Sequence, residues 1–358
     1  MASRWHFSCE GMWEGVPYSA ARHGCYGFPE TGWDVAEEDV ESEDFAVALA
    51  HVRGGEESRR GSDGEAALGR VALRGHPRGL RPLAWAAHLA LDSMPMGEDV
   101  DAGAELSSRG RATEATLRDI AKDVRRTFPL HPWIASESGA EALTKLLAST
   151  CSTQAGYTQG LNFLGGTLLL VLDPPRATKA LVRICDTLGY WTPDAREGLV
   201  GLAVDQAVLG ALVAEVQGPV AAHLRDVAGL DLRLMGVRWL LTLYATSLPP
   251  MCVLRLWDLL FSRWAGDPRP ILFATALALV DRHRDVLLAT RDAGEALAAL
   301  NTLGRDLPCA DLDAFLRAVA RLVDVHAARV KVLRKRVLNA RSWHAWWPHM
   351  TGLGSPGL

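Results

Sequence analysis

The chain has 358 residues, 49% hydrophobic and 22% charged, enough apolar content for one large core or two smaller ones. Its 38 Lys plus Arg against 42 Asp plus Glu leave a formal net charge of −4, which argues against a dedicated nucleic-acid binder, whose domain is normally strongly basic. Cys9, Cys25, Cys151, Cys185, Cys252 and Cys309 stand far apart with no C-x-x-C pair, so the spacing fits neither a zinc site nor a disulfide framework and predicts reduced thiols in the cytosol.

No basic-then-apolar secretory leader opens the sequence. Residues 1–67 are read as a poorly ordered N-terminal region. They hold an acidic run, Glu37 to Asp44, and a polar stretch, Arg53 to Gly64, whose low apolar content predicts a flexible linker. Helical spacing becomes frequent from about Leu80, with Leu83, Ala84 and Ala87 recurring beside Trp85. Gly97–Arg111 reads as a loop. A helix follows with Thr116 as its N-cap and Phe128-Pro129 at its end. Further helices are predicted over Ala140–Ser149, Leu161–Leu172, Ala177–Leu188, Val204–Glu215, Leu232–Ala245, Pro250–Phe261, Ile271–His283 and Asp311–Val325. Strand-like alternation is scarce, so the fold class is all-α. The longest apolar stretches, Phe163–Leu172 and Ile271–Val280, fall short of the roughly 20 residues a membrane-spanning helix needs and read as buried helices of a soluble protein.

Self-contained catalysis finds no support. There is no Gly-rich run ending in Gly-Lys-Ser/Thr, no G-x-S-x-G, no H-E-x-x-H, and no pair of histidines at i, i+4. No metal site is expected. Gly165-Gly166 lies inside an apolar stretch and is explained by close helix packing.

Two local constellations carry chemistry. In Ile120-Ala-Lys-Asp123-Val-Arg125-Arg126-Thr127-Phe128-Pro129, Asp123 and Arg126 lie three apart on one helix face, where a carboxylate can orient a guanidinium. Arginine suits a phosphate partner because it is planar, permanently charged and able to donate two parallel hydrogen bonds. The plainer alternative is a surface ion pair worth about 0.2–0.5 kcal/mol, and spacing alone favours it. In Gly156-Tyr157-Thr158-Gln159-Gly160-Leu161-Asn162-Phe163, two glycines bracket Tyr157 and Gln159 just before a buried helix. An amide held there donates and accepts at once, as orienting a water requires. Here too the plainer alternative, a helix entry with a solvated Gln159, leads on local grounds.

In this order the two segments resemble the fingerprint of TBC-domain Rab GTPase-activating proteins, I-x-x-D-x-x-R with T-F-P and then Y-x-Q-G-x-N. The matches are Ile120, Asp123, Arg126, Thr127, Phe128 and Pro129, followed by Tyr157, Gln159, Gly160 and Asn162. Leu73-Arg74-Gly75-His76-Pro77 with Leu80-Arg81 and Trp85 is similar to the family's opening segment, though His76 stands where a small aliphatic residue is usual. Tyr190-Trp191-x-Pro193, Gly201-Leu202 and Asp205-Gln206 are similar to its middle. Trp239, Leu248-Pro249 and the Leu254–Phe261 block are similar to its end. Tyr26-Gly27-Phe28 looks like a segment preceding the domain in growth-hormone-regulated-type members.

The resemblance implies a TBC-type domain of many short helices in two helical subdomains over residues 68–325, the first reaching about residue 195 and carrying both motifs. It implies an activator, not an enzyme in its own right, acting on a GTP-bound Rab-family GTPase. Arg126 would be an arginine finger, Gln159 a glutamine finger and Asp123 the orienter of Arg126. Tyr157, Gly160, Asn162 and Ile120 would support them. No cofactor of its own is implied, because GTP and Mg²⁺ arrive with the partner. A cytoplasmic location follows, with recruitment to membranes by that partner. The alternatives are a Rab-binding module without catalysis and a helical scaffold.

Residues 326–358 form a basic, Trp-rich tail, with Arg329, Lys331, Arg334, Lys335, Arg336 and Arg341 beside Trp343, Trp346 and Trp347. Val330, Leu333 and Val337 give it one apolar stripe. Such a segment has the make-up for weak peripheral membrane contact. The favoured reading is a last helix docked on the domain with a solvated basic face.

Overall fold

The computed structural model describes residues 46–48, 50, 62–77, 80–94, 112–153, 157–191, 200–305 and 307–340. Among the described residues there are helices and turns and no strand. The expectations for Tyr26–Phe28, Gly97–Arg111, Gly156, Pro193, Arg341 and Trp343 onward lie outside them.

Helix α1, Ser62–Arg74, takes in Ser62–Gly64, the end of the stretch expected to be a linker, whose other residues lie outside the described ones. Its Ala67 and Val71 recur at i, i+4 and bury against Leu80 and Ala84, enough apolar surface to extend the helix over polar Ser62–Gly64. Gly75 then turns the chain at φ +96°, and α2 spans Arg81–His88. Helix α3 spans Glu114–Arg125. Its N-cap is Thr113, not Thr116: Thr113 has extended backbone and its Oγ1 accepts from Thr116 N at 3.1 Å, leaving Thr116 inside the first turn.

Helices α4 (Glu137–Thr153) and α5 (Leu161–Leu169) pack with α3, and α6 (Pro174–Leu188) packs on α4 and α5. Asp173-Pro174-Pro175 both stops α5's turn and starts α6, since Asp173 accepts from Arg176 N while proline suits the first helical positions. Gly165 and Gly166 allow the close approach expected of them: a Cβ would sit 3.0 Å from Leu143 and Leu146, or from Phe128.

Helices α7 (Val200–Val216) and α8 (Gly218–Asp226) follow. The helix expected over Leu232–Ala245 is instead broken. A 3₁₀ turn, Leu232–Leu234, leads through Gly236 at φ +75° into α9, Val237–Leu241, after which Leu243 and Tyr244 adopt left-handed conformations. Tertiary bonds hold this strained run. Trp257 Nε1 donates to Leu243 O at 2.9 Å, and Tyr244 Oη donates to Leu272 O at 2.7 Å.

Helices α10 (Pro250–Ser262), α11 (Arg269–Arg282), α12 (Arg284–Leu288) and α13 (Ala293–Thr302) precede the last, α14, Leu312–Ala340. It runs 15 residues past the expected end at Val325, because no Gly or Pro interrupts it and Val330 and Leu333 remain buried. Arg334 Nε donates to the buried Asp205 at 2.8 Å, and Arg329 pairs with Glu215 on α7. The apolar stripe thus faces protein, as the docked reading of this segment requires. No single helix of the described residues is long and apolar enough to cross a membrane.

A buried node fastens α2 to α10. Asp258, on α10, accepts from Arg81 Nε and Nη2 at 2.9 Å each, from Trp85 Nε1 at 2.8 Å and from the His76 backbone N at 2.8 Å. Burial alone would raise its pKa, yet Arg81 and His76 hold the carboxyl below its ordinary value. The His76 ring, wholly buried, finds no hydrogen-bond partner for either nitrogen among the described residues. Burial is the main reason its pKa is lowered to about 4.

Candidate functional site

Helix α3 lays Ile120, Asp123 and Val124 inward, and Arg126 follows as its C-cap. Arg126 donates from Nε and Nη2 to the same oxygen, Asp123 Oδ1, at 2.8 and 2.7 Å. Its side chain keeps 34% exposure, and Nη1 has no partner among the described residues. Arg125 is exposed and takes no part in this pair.

The second motif reaches the same carboxylate. Tyr157, half-buried, donates its hydroxyl to Asp123 Oδ2 at 2.5 Å. Its phenol pKa is raised well above the ordinary value, first by burial and then by that hydrogen bond, so the group stays a donor. Asn162, fully buried, ties the segments together a second time: its Nδ2 donates to Thr127 Oγ1 at 2.7 Å, and Thr127 Oγ1 donates to Asp123 O at 2.7 Å. Asn162 Oδ1 accepts from Gly160 N at 3.1 Å.

Between these anchors Gln159 is exposed and has no hydrogen-bond partner among the described residues. The turn beneath it needs Gly160, which lies at φ +114° with Leu241 so near that a Cβ would sit 3.3 Å from its carbonyl oxygen. Ile120 is buried in the main apolar core and seats α3 there.

The structure therefore joins Asp123, Arg126, Tyr157, Gly160 and Asn162 into one network, with Arg126 and Gln159 at its solvent side. Sequence reasoning noted Thr127 only as a motif match and gave it no task, although it links the two segments. Leu241, which sets the space over Gly160, carried no signal at all. No group of three or more His, Cys, Asp or Glu among the described residues could hold a metal ion. Chemically, the surface offers one pre-oriented guanidinium and one free carboxamide, and no activated nucleophile.

Residues 79–288 match the family model described as the Rab-GTPase-TBC domain, RabGAP-TBC. Growth hormone-regulated TBC protein 1-A of Danio rerio is 28% identical over 274 residues, covering 74% of this chain and 73% of that protein. Growth hormone-regulated TBC protein 1 of Rattus norvegicus is 32% identical over 180 residues, 48% of this chain and 59% of the relative. TBC1 domain family member 2A of Rattus norvegicus is 34% identical over 200 residues, 53% of this chain and 21% of the relative. Of these three, only the Danio rerio protein is covered over more than two thirds of its length. Among solved structures, the Chlamydomonas flagellar RabGAP TBC domain aligns with TM-score 0.58 and 24% identity over 83% of this chain and 99% of that one. The Ypt/Rab-GAP domain of Gyp1p aligns with TM-score 0.61 and 15% identity over 80% and 100%. These two likenesses concern the fold.

Proposed function

The chain belongs to the RabGAP-TBC family, and from that premise we propose that it speeds GTP hydrolysis on a Rab-family GTPase with two side chains supplied in trans, Arg126 and Gln159. Small GTPases hydrolyse GTP slowly because charge building on the phosphoryl oxygens is poorly compensated and the attacking water poorly held. In this reading Arg126 answers the first deficit and Gln159 the second. Asp123 fixes the guanidinium from one side and leaves Nη1 to donate. GTP and Mg²⁺ belong to the partner, and this chain contributes side chains only.

The observation that carries the proposal is the shared carboxylate: Asp123 holds Arg126 on Oδ1 and Tyr157, two residues before Gln159, on Oδ2. Two segments 34 residues apart are thereby kept in one register beneath a partly exposed Arg and an exposed Gln. The reading also assigns both fingers to an N-terminal subdomain reaching about residue 195. A cytoplasmic location, with recruitment by the Rab partner, goes with it.

The test is single-turnover GTP hydrolysis by a panel of purified Rab-family GTPases with and without the chain. Strong stimulation of at least one member, lost in both Arg126→Ala and Gln159→Ala, supports the proposal. Binding of a GTP-loaded member without any stimulation would make the chain a non-catalytic Rab-binding module instead.

A further inference from the structure

Helix α14 has two unlike faces. Its inner face is spent on the fold, with Val330 and Leu333 buried, Arg329 on Glu215 and Arg334 on Asp205. Its outer face and flank carry Arg317, Arg321, Lys331, Lys335 and Arg336, all exposed and none in a hydrogen bond or ion pair among the described residues, with Arg336 on the flank nearest Glu215 and within reach of its charge. Asp324 is the one exposed acid set among them. That is an excess of four positive charges along one helix face, on a chain whose net charge is −4. The same face exposes Val325 at 69%, Val332 at 55% and, on its flank, Leu338 at 41%. Val325, Ala328, Val332 and Lys335 follow the 3, 4, 3 spacing that aligns residues on one side of a helix.

Exposed valines set among unpaired cations match a partner that is both apolar and anionic. A nucleic-acid backbone satisfies only the charges, and an acidic protein groove would have to reproduce the whole length of the helix. A bilayer of anionic lipid supplies both along a plane: headgroups for Lys and Arg, and the acyl boundary for the valines. Lys and Arg stems lie along such a boundary while their charged ends stay in water. The segregation of charge also orients the contact, because the remainder of the molecule is acidic and turns away from the surface. We propose that the outer face of α14 docks the protein on anionic membranes, with Lys331, Lys335 and Arg336 supplying the attraction and Val325 and Val332 the insertion. This face is distinct from the stripe of Val330, Leu333 and Val337 that sequence patterning singled out, since that stripe is used against the domain. The inference does not depend on the finger assignment.

Co-sedimentation of the full chain with vesicles tests it. The protein should pellet with equal parts phosphatidylcholine and phosphatidylserine, stay in solution with phosphatidylcholine alone, and be released by high salt. Lys331→Glu/Lys335→Glu/Arg336→Glu should lose tenfold or more of the pelleted fraction, since each basic group near an anionic surface is worth roughly fivefold. The variant's thermal unfolding and its stimulation of hydrolysis in solution should match wild type. Val325→Asp/Val332→Asp should lower binding even at low salt. Equal pelleting on both vesicle types, or unchanged pelleting of the triple variant, would overturn the proposal. So would binding that disappears only when residues 341–358 are removed, or a wild-type dimer in light scattering that the triple variant dissolves without any vesicle binding.

Discussion

Tyr157 gives its hydroxyl to Asp123 Oδ2, the carboxylate oxygen that Arg126 leaves unused. One aspartate therefore answers to both motifs, and its two oxygens divide the work. Tyr157→Phe keeps the ring packed and removes only the donor. It should cost about 1–3 kcal/mol of stability, the range for hydrogen bonds to a charged group or a buried acceptor left unsatisfied. Stimulated hydrolysis should fall while affinity for the GTP-loaded partner holds, as read by single-turnover rates beside equilibrium binding. Equal loss of rate and affinity would count against a positioning task for Tyr157.

Arg126→Ala should lower stimulated hydrolysis by about 10³–10⁵, or roughly 4–7 kcal/mol of barrier. Arg126→Lys should recover little, because a single ammonium cannot lie on Asp123 and reach the partner with a planar fork. Arg125→Ala, one residue away yet exposed and unpaired, should change the rate less than twofold by the order of magnitude of exposed single contacts. Matching effects at Arg125 and Arg126 would remove the finger assignment.

Gly160→Ala meets two obstacles at once, a backbone at φ +114° and the Leu241 carbonyl 3.3 Å from the new Cβ. A loss of about 1–3 kcal/mol is expected, visible as a melting temperature lower by several degrees. Hydrolysis stimulation should drop further than stability does, since the turn beneath Gln159 must shift. A variant with wild-type rate and lowered stability would show that Gln159 does not depend on this turn.

His76 makes folding sensitive to acid. Unfolded, the imidazole takes up a proton near its ordinary value of 6.5; folded, it does so only at about 4. Between those values the unfolded chain binds more protons, so stability is full above pH 6.5 and declines as pH falls toward 4. The loss is on the order of 3 kcal/mol. Asp258 adds a second loss only lower, as pH falls below the ordinary carboxyl value of 3.8. His76→Leu should flatten the upper window and, by removing two unpaired buried nitrogens, raise stability at pH 7 by about 1 kcal/mol. Urea unfolding at pH 7 and pH 5 checks both, and an unchanged pH difference in the variant would discard His76 as the cause.

The fold class was legible because apolar spacing ran at 3.6 residues almost everywhere from Leu80 on. Boundaries failed where something distant decided them. Leu232–Ala245 has the composition of a helix, but its break at Gly236 and the left-handed pair at Leu243 and Tyr244 are held by Trp257 and Leu272. Helix α14 was cut short at Val325 because charge density rises there, whereas Asp205 and Glu215, far back in the sequence, receive the arginines that carry it onward. At the site, Asp123 with Arg126 was readable as i, i+3 neighbours. The bond from Tyr157, 34 residues away, was not, and neither was the hydroxyl of Thr127 meeting Asn162, because no local periodicity encodes a contact between segments.

Arg81 and Trp85 are translated long before their anchor, Asp258, which lies 177 residues downstream of Arg81. At a synthesis rate of about 5–20 residues per second, that interval is roughly 10–35 s. Throughout it the nascent chain carries a guanidinium and an indole with nowhere to go, so α2 joins its final neighbours only late in production. A stop codon anywhere before Asp258 yields a product in which helix α2 can never close on this anchor.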